Sequence, residues 1–149
     1  MSTKKDKFTS QDHYFMKHAI NLAAERNGFT GLNPSVGCVV VKKNKILSIG
    51  QTGFNGRPHA ETVAIKACKK EDLKGSTIYV TMEPCTHYGK TPPCTNLIVK
   101  SKIKRVIYSI NDVDIRTKKR AYSFLKSKKI ITSSGLLMNK TKKIYKKYF

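Results

Sequence analysis

The sequence has no apolar run that approaches the roughly 18 residues of a membrane-crossing helix, so no transmembrane segment is expected. The basic start, 1–6, leads into polar residues instead of an apolar stretch, and no secretory signal is expected either. Acidic residues are scarce, 9 against 30 lysines and arginines, for a formal charge of +21. Such an excess admits electrostatic binding of nucleic acid. It is carried mostly by lysines scattered from Lys4 to Lys147, with few arginines and no arginine-rich block. A lysine-heavy surface of this kind speaks to solubility and to attraction of an anionic substrate, not to fold, and nucleic acid is not the expected partner. No Gly-rich dinucleotide fingerprint occurs, so this chain is not expected to use NADPH. Repeats, low-complexity linkers and a second domain are also missing. Cysteine is sparse, 4 in 149 residues. Two disulfides are possible on paper, but Cys85 and Cys94 have a better use as metal ligands, which suits a cytoplasmic protein.

What remains has the length and the 39% hydrophobic content of one compact domain. Residues 1–9 read as a mobile basic tail and 10–149 as the folded unit. Thr9 and Asp12 resemble a capping box, and Phe15, Ala19, Ile20, Leu22 and Ala23 then recur at helical spacing until Gly28. The β-branched run 36–41 predicts a buried strand, with 46–49 returning as its hairpin partner. Further strands are expected at 76–81, 105–109 and 130–132, and helices at 59–69, 95–101, 117–127 and 139–148. Strands alternating with helices predict an α/β fold, a three-layer α/β/α sandwich around a mixed sheet of about five strands.

Three residues carry metal-ligand chemistry: His59, followed 26 and 35 positions later by Cys85 and Cys94. One imidazole and two thiolates hold a zinc ion and leave a fourth position open, the mark of a catalytic site. Helices starting near His59 and Cys94 would place both groups at helix N-termini, which favour thiolate over thiol. Glu61 would project differently from His59 and face the open position. Zinc lowers the pKa of bound water, and Glu61 can take its proton and deliver it to a ring and a leaving amine. The order H-x-E, then P-C-x-x-C, is the layout of zinc-dependent nucleobase deaminases, from which this chain differs by the wide gap between Cys85 and Cys94. A lone H-x-E occurs by chance in many chains; joined to Glu83-Pro84-Cys85 after a strand it is specific. Cys38, inside an apolar strand, and Cys68, near a helix end, read as packed thiols, and His13 and His18 stay outside the site.

With those residues in place, the chain resembles the deaminase half of the bifunctional riboflavin-biosynthesis deaminase/reductase, a cytidine deaminase-like fold. The match runs from about Asp12 to the C-terminus. It is carried by Asn33-Pro34-Ser35-Val36-Gly37, Pro58-His59-Ala60-Glu61 and Val80-Thr81-Met82-Glu83-Pro84-Cys85, continuing through His87-Tyr88-Gly89-Lys90-Thr91-Pro92-Pro93-Cys94. The long loop between the cysteines is more specific than the zinc motif alone. The resemblance implies hydrolytic deamination of 2,5-diamino-6-ribosylamino-4(3H)-pyrimidinone 5′-phosphate, with zinc on His59, Cys85 and Cys94 and Glu61 as proton shuttle. It further implies that Asn33, His87, Lys90 and Asp112 contact the substrate and that the chain is a homo-oligomer; the reduction that follows is expected from a separate reductase polypeptide, or else this chain is one part of a longer product. Thr52 stands where that family usually has histidine, and Asp112-Val113-Asp114-Ile115 where it has Asp-Pro-Asn-Pro. No reductase domain follows Phe149 in this sequence. Two other readings stay open: a deaminase of another nucleoside, nucleotide or tRNA base, and a basic nucleic-acid-binding module with structural zinc. Against the last stands Glu61, a proton shuttle that a structural site does not need. Against tRNA stands the lack of aromatics near the motif other than Tyr88.

Overall fold

The computed structural model describes residues 7–114 and 116–146. Most of the expected tail, and the end of the expected last helix, lie outside the described residues. Of the tail, Phe8 packs against the core and Thr9 caps the first helix. Helix α1 (Ser10–Arg26) opens with the expected capping box: Asp12 N–H donates to Thr9 Oγ1, and Thr9 N–H to the Asp12 carboxylate, each at 3.0 Å. Its buried stripe holds Phe15, Ala19, Ile20 and Ala23 as the periodicity predicts, with Met16 added and Leu22 only partly buried.

The remaining elements are β1 (Gly37–Lys42), β2 (Lys45–Gln51), α2 (Ala60–Lys66), α3 (Lys70–Leu73), β3 (Thr77–Met82), α4 (Cys94–Lys100), β4 (Arg105–Ile110), α5 (Arg120–Ser127), β5 (Ile131–Ser134) and α6 (Met138–Ile144). The strands form one mixed sheet in the order β2-β1-β3-β4-β5. β1 is antiparallel to both β2 and β3, while β3–β4 and β4–β5 are parallel. The register aligns Cys38 with Val80 and Val40 with Ile78, and Ile78 with Val106, so alternate residues of the three central strands share a face. On one face Cys38, Val40, Ile78, Val80, Val106 and Tyr108 meet Ala60, Ala64, Leu73, Ile98, Ala121 and Leu125 of helices α2 to α5. On the other, Val39, Val41, Tyr79 and Ile107 meet α1, with Leu136 and the partly buried Ile144 beside it. This is the expected three-layer sandwich.

Two differences have clear causes. The helix expected over 59–69 breaks at Ala67, and Lys69 returns to extended backbone, which brings Leu73 on α3 into the same core. The helix expected over 117–127 starts only at Arg120, because Lys119 takes a left-handed conformation (φ 65°) and its N–H turns to the Glu83 carboxylate. A close approach fixes α2: a Cβ at Gly50 would come within 2.2 Å of the Ala60 carbonyl oxygen, so glycine lets the helix lie directly on β2. At the far end of the sheet Arg105 grips Asp12 with two hydrogen bonds (3.0 and 2.9 Å), and Tyr79 O–H donates to the same carboxylate at 2.6 Å. These bonds tie the start of α1 to β3 and β4. No helix among the described residues is long and apolar enough to cross a membrane.

Candidate active site

The site forms where the parallel strands β3 and β4 end, the usual position for ligands in such sheets. His59 is the N-cap residue of α2, Cys94 the first residue of α4, and Cys85 lies three residues past β3. Among the described residues these three alone form a group able to hold a metal ion, with their donor atoms within 4.8 Å of one another. His59 Nδ1 lies 3.3 Å from Cys94 Sγ and 3.8 Å from Cys85 Sγ. Tetrahedral zinc, at about 2.3 Å from sulfur and about 2.0 Å from nitrogen, requires N···S separations of about 3.5 Å, so the donor set fits the ion. Cys94 N–H donates to Cys85 Sγ at 3.2 Å. Hydrogen bonds from the Cys94 thiol, His59 and that N–H bring the Cys85 thiol down to about 4. The Cys94 thiol is pushed up by donating to Cys85 and by burial, and His59 is raised mainly by its bond to Cys85.

Glu61, on the first turn of α2, is 4% exposed and lines the cavity in front of these donors. Burial, reinforced by the Cys85 charge, pushes its carboxyl up to about 7. The cavity holds about 420 Å³. Asn33, His87 and Asp112 line it, as the resemblance implies, and so do Thr52 and Asp114. Asn33 Nδ2 donates to Gly56 O at 3.1 Å, and Gly56 (φ +99°) leaves room for it: a Cβ there would lie 2.5 Å from that nitrogen. The Asn33–Val36 loop is held from behind, since Ser35 hydroxyl donates to Ala23 O (2.6 Å) and Tyr145 O–H bonds Ser35 O. His87 Nδ1 meets Thr117 Oγ1 at 2.7 Å, while its Nε2 lies 3.8 Å from Asp114. Burial pushes Asp112 up to about 6, and its Oδ1 accepts Asp114 N–H at 2.9 Å. Thr52 turns its hydroxyl to Val36 N–H (2.8 Å), bracing the loop.

Lys90 is exposed, and its side chain is not among those lining the cavity. The cations that line it are Arg57 and Arg116, which sequence reasoning passed over. Arg57 directly precedes the Pro-His-Ala-Glu motif, and its Nη1 donates to Thr91 Oγ1 at 3.3 Å, across the loop between the cysteines. Arg116 holds Asp114 through Nε and Nη2, the shortest contact being 2.6 Å, and Arg116 thereby drives Asp114 down to about 2. Neither arginine belongs to a recognisable motif, so only proximity reveals them. Phe54, two residues before Gly56 of the cavity wall, is exposed, and its ring meets that of Phe29 edge to face at 6.4 Å. Cys38 lies in the core, Cys68 is partly buried, and both are absent from the metal-ligating group.

Residues 9–110 match the family model for the cytidine and deoxycytidylate deaminase zinc-binding region. The chain is 41% identical over 138 residues to the diaminohydroxyphosphoribosylamino-pyrimidine deaminase of Buchnera aphidicola subsp. Acyrthosiphon pisum, covering 93% of each protein. It is 50% identical over 101 residues to riboflavin biosynthesis protein RibD of Aquifex aeolicus, covering 68% of this chain and 28% of that protein. Against several such relatives the chain spans well under half of their length. Among solved structures, it superposes with a TM-score of 0.85 and 40% identity on a diaminohydroxyphosphoribosylaminopyrimidine deaminase/5-amino-6-(5-phosphoribosylamino)uracil reductase from Thermotoga maritima, covering 90% of this chain and 39% of that one.

Proposed function

The chain belongs to the cytidine and deoxycytidylate deaminase zinc-binding family, and from that premise we propose that it removes the 2-amino group of 2,5-diamino-6-ribosylamino-4(3H)-pyrimidinone 5′-phosphate by hydrolysis. The products are 5-amino-6-ribosylaminouracil 5′-phosphate and ammonia, a step of riboflavin biosynthesis. One observation carries the reading: a buried Glu61 shares a cavity with His59 and Cys85, and Cys94 closes the metal-ligating group, in a chain that matches a diaminohydroxyphosphoribosylamino-pyrimidine deaminase over 93% of its length.

His59, Cys85 and Cys94 would hold the zinc, which when bound supplies the Lewis acidity that makes water a competent nucleophile near neutral pH. Glu61 accepts one proton of the attacking water and returns it to the ring nitrogen. A C–O bond forms at C2, giving a tetrahedral carbon. The second proton passes from the new hydroxyl through Glu61 to the amine, the C–N bond breaks, and nitrogen leaves as ammonia. Glu61 is suited to both transfers because it is shut off from bulk water at the floor of the cavity. Asn33, His87 and Asp112 are positioned on the wall to orient ring and ribose. Arg57 and Arg116 are the cations on that wall and take the phosphate, with Arg57 the less encumbered of the two.

The folded unit 10–149 is read as the deaminase domain, with a reductase activity acting on its product. Cytoplasmic residence and a homo-oligomeric state complete the reading. Light scattering of the purified protein tests the oligomer. Purified protein should hold about one zinc per chain. It should release ammonia from the diaminopyrimidinone ribosyl phosphate in preference to cytidine, deoxycytidylate or adenosine-bearing tRNA. Protein without zinc, or with a preference for one of the other substrates, overturns the reading.

A further inference from the structure

Glu83 has no part in the chemistry just described, although it lies two residues before Cys85. Its side chain is 3% exposed, and among the described residues no basic side chain pairs with it. Its partners are backbone groups. Oε1 accepts the N–H groups of Asp112 (3.0 Å) and Lys119 (2.9 Å), and Oε2 accepts that of Ala121 (2.9 Å). Its own N–H donates to Ile110 O at 2.8 Å. The segment fastened at those points carries Asp112, Asp114 and Arg116 in the cavity wall, together with Thr117, the partner of His87. Three donors converging on one side chain call for a group with acceptors only, which is what a carboxylate is.

Cys85 has separate supports. Thr95 bonds its carbonyl through N–H (3.2 Å) and hydroxyl (3.0 Å), and Cys94 N–H meets its sulfur, all from α4. His59 and Cys94 stand on α2 and α4, which Glu83 does not touch through a hydrogen bond. Loss of the Glu83 carboxylate would therefore loosen the wall and spare the metal donors.

We propose that Glu83 is a positioning residue, whose buried carboxylate fastens the 112–121 wall to the end of β3 and so sets the affinity for substrate without taking part in zinc binding. Its kinetic arm rests on the deaminase reading; its metal and exchange arms do not.

The test compares wild type with Glu83→Gln and Glu83→Ala. An amide of the same shape turns an NH₂ group toward one of the three N–H donors, so Glu83→Gln should raise KM about tenfold or more. kcat should fall by less than about threefold and zinc should stay near one per chain, with Glu83→Ala worse in KM only. A folded variant with unchanged KM, or one that loses zinc, overturns the proposal. If neither variant folds, hydrogen exchange on the wild-type protein decides. Strong protection at the amides of Asp112, Lys119 and Ala121 supports the clamp, and exchange at the rate of an open loop refutes it. Wild-type turnover measured alongside separates the two ideas, since an inactive wild type counts against the deaminase reading alone.

Discussion

Replacing Glu61 by glutamine removes the proton acceptor while keeping the side chain's shape. The structure sets the expected size of the effect. Glu61 is 4% exposed, so bulk water has little access to replace it. Three other carboxylates line the same cavity, and all are engaged: Glu83 accepts the N–H groups of Asp112, Lys119 and Ala121, Asp112 accepts that of Asp114, and Asp114 is held by Arg116. With those carboxylates engaged elsewhere, the loss should be that of a positioned acid–base group, about 10²–10⁴ in kcat. That corresponds to about 3–5 kcal/mol of barrier. The metal donors are untouched, so the variant should carry the same zinc as wild type. Ammonia release under saturating substrate gives kcat, and metal analysis of the same sample gives zinc content. A zinc-loaded Glu61→Gln protein turning over within about tenfold of wild type would show that another group moves the protons.

Two further predictions probe the phosphate contacts and the fold. Arg57→Gln should raise KM for the phosphorylated substrate about tenfold, the lower end for a bond to a charged group, and leave KM for the dephosphorylated ribosyl compound unchanged; equal changes for both would remove Arg57 from phosphate recognition. The bonds from Arg105 and Tyr79 outweigh burial and hold Asp12 down to about 2, against an ordinary value of 3.8. Because the folded value is the lower one, this stabilisation is present above pH 4 and is lost as pH falls through about 2. It amounts to about 2 kcal/mol. Urea unfolding across that range should show wild type losing its advantage over Asp12→Asn, whereas parallel curves would refute the linkage.

The parts of this molecule most legible in the sequence are those whose causes are local. The capping box at Thr9 and Asp12, the stripe from Phe15 to Ala23 and the β-branched run before Val41 each follow from neighbouring residues, and they lead to the three-layer arrangement found. The metal donors were legible too, because their types and order carry a coordination requirement. What stayed hidden depends on long-range placement. Nothing near Arg120 announces that the turn before α5 belongs to a carboxylate 37 residues earlier in the chain, at Glu83. Lys90 looked like the phosphate cation because it sits in the loop between the cysteines, but that loop directs it to solvent, and Arg57 and Arg116 reach the cavity instead. Thr52, standing where the resembled family has histidine, proved to be a brace for the Val36 loop, a role visible only once its hydroxyl is seen on the Val36 N–H.

In the proposed function, this zinc-family cavity hydrolyses an amine from the diaminopyrimidinone ribosyl phosphate. The most direct measurement is mass spectrometry of the product formed from that substrate in heavy-oxygen water, with ammonia assayed in parallel. The account predicts one ammonia released per molecule converted and one solvent oxygen in the 5-amino-6-ribosylaminouracil 5′-phosphate formed. Unchanged substrate from zinc-loaded protein, or ammonia released without solvent oxygen entering the ring, would contradict it.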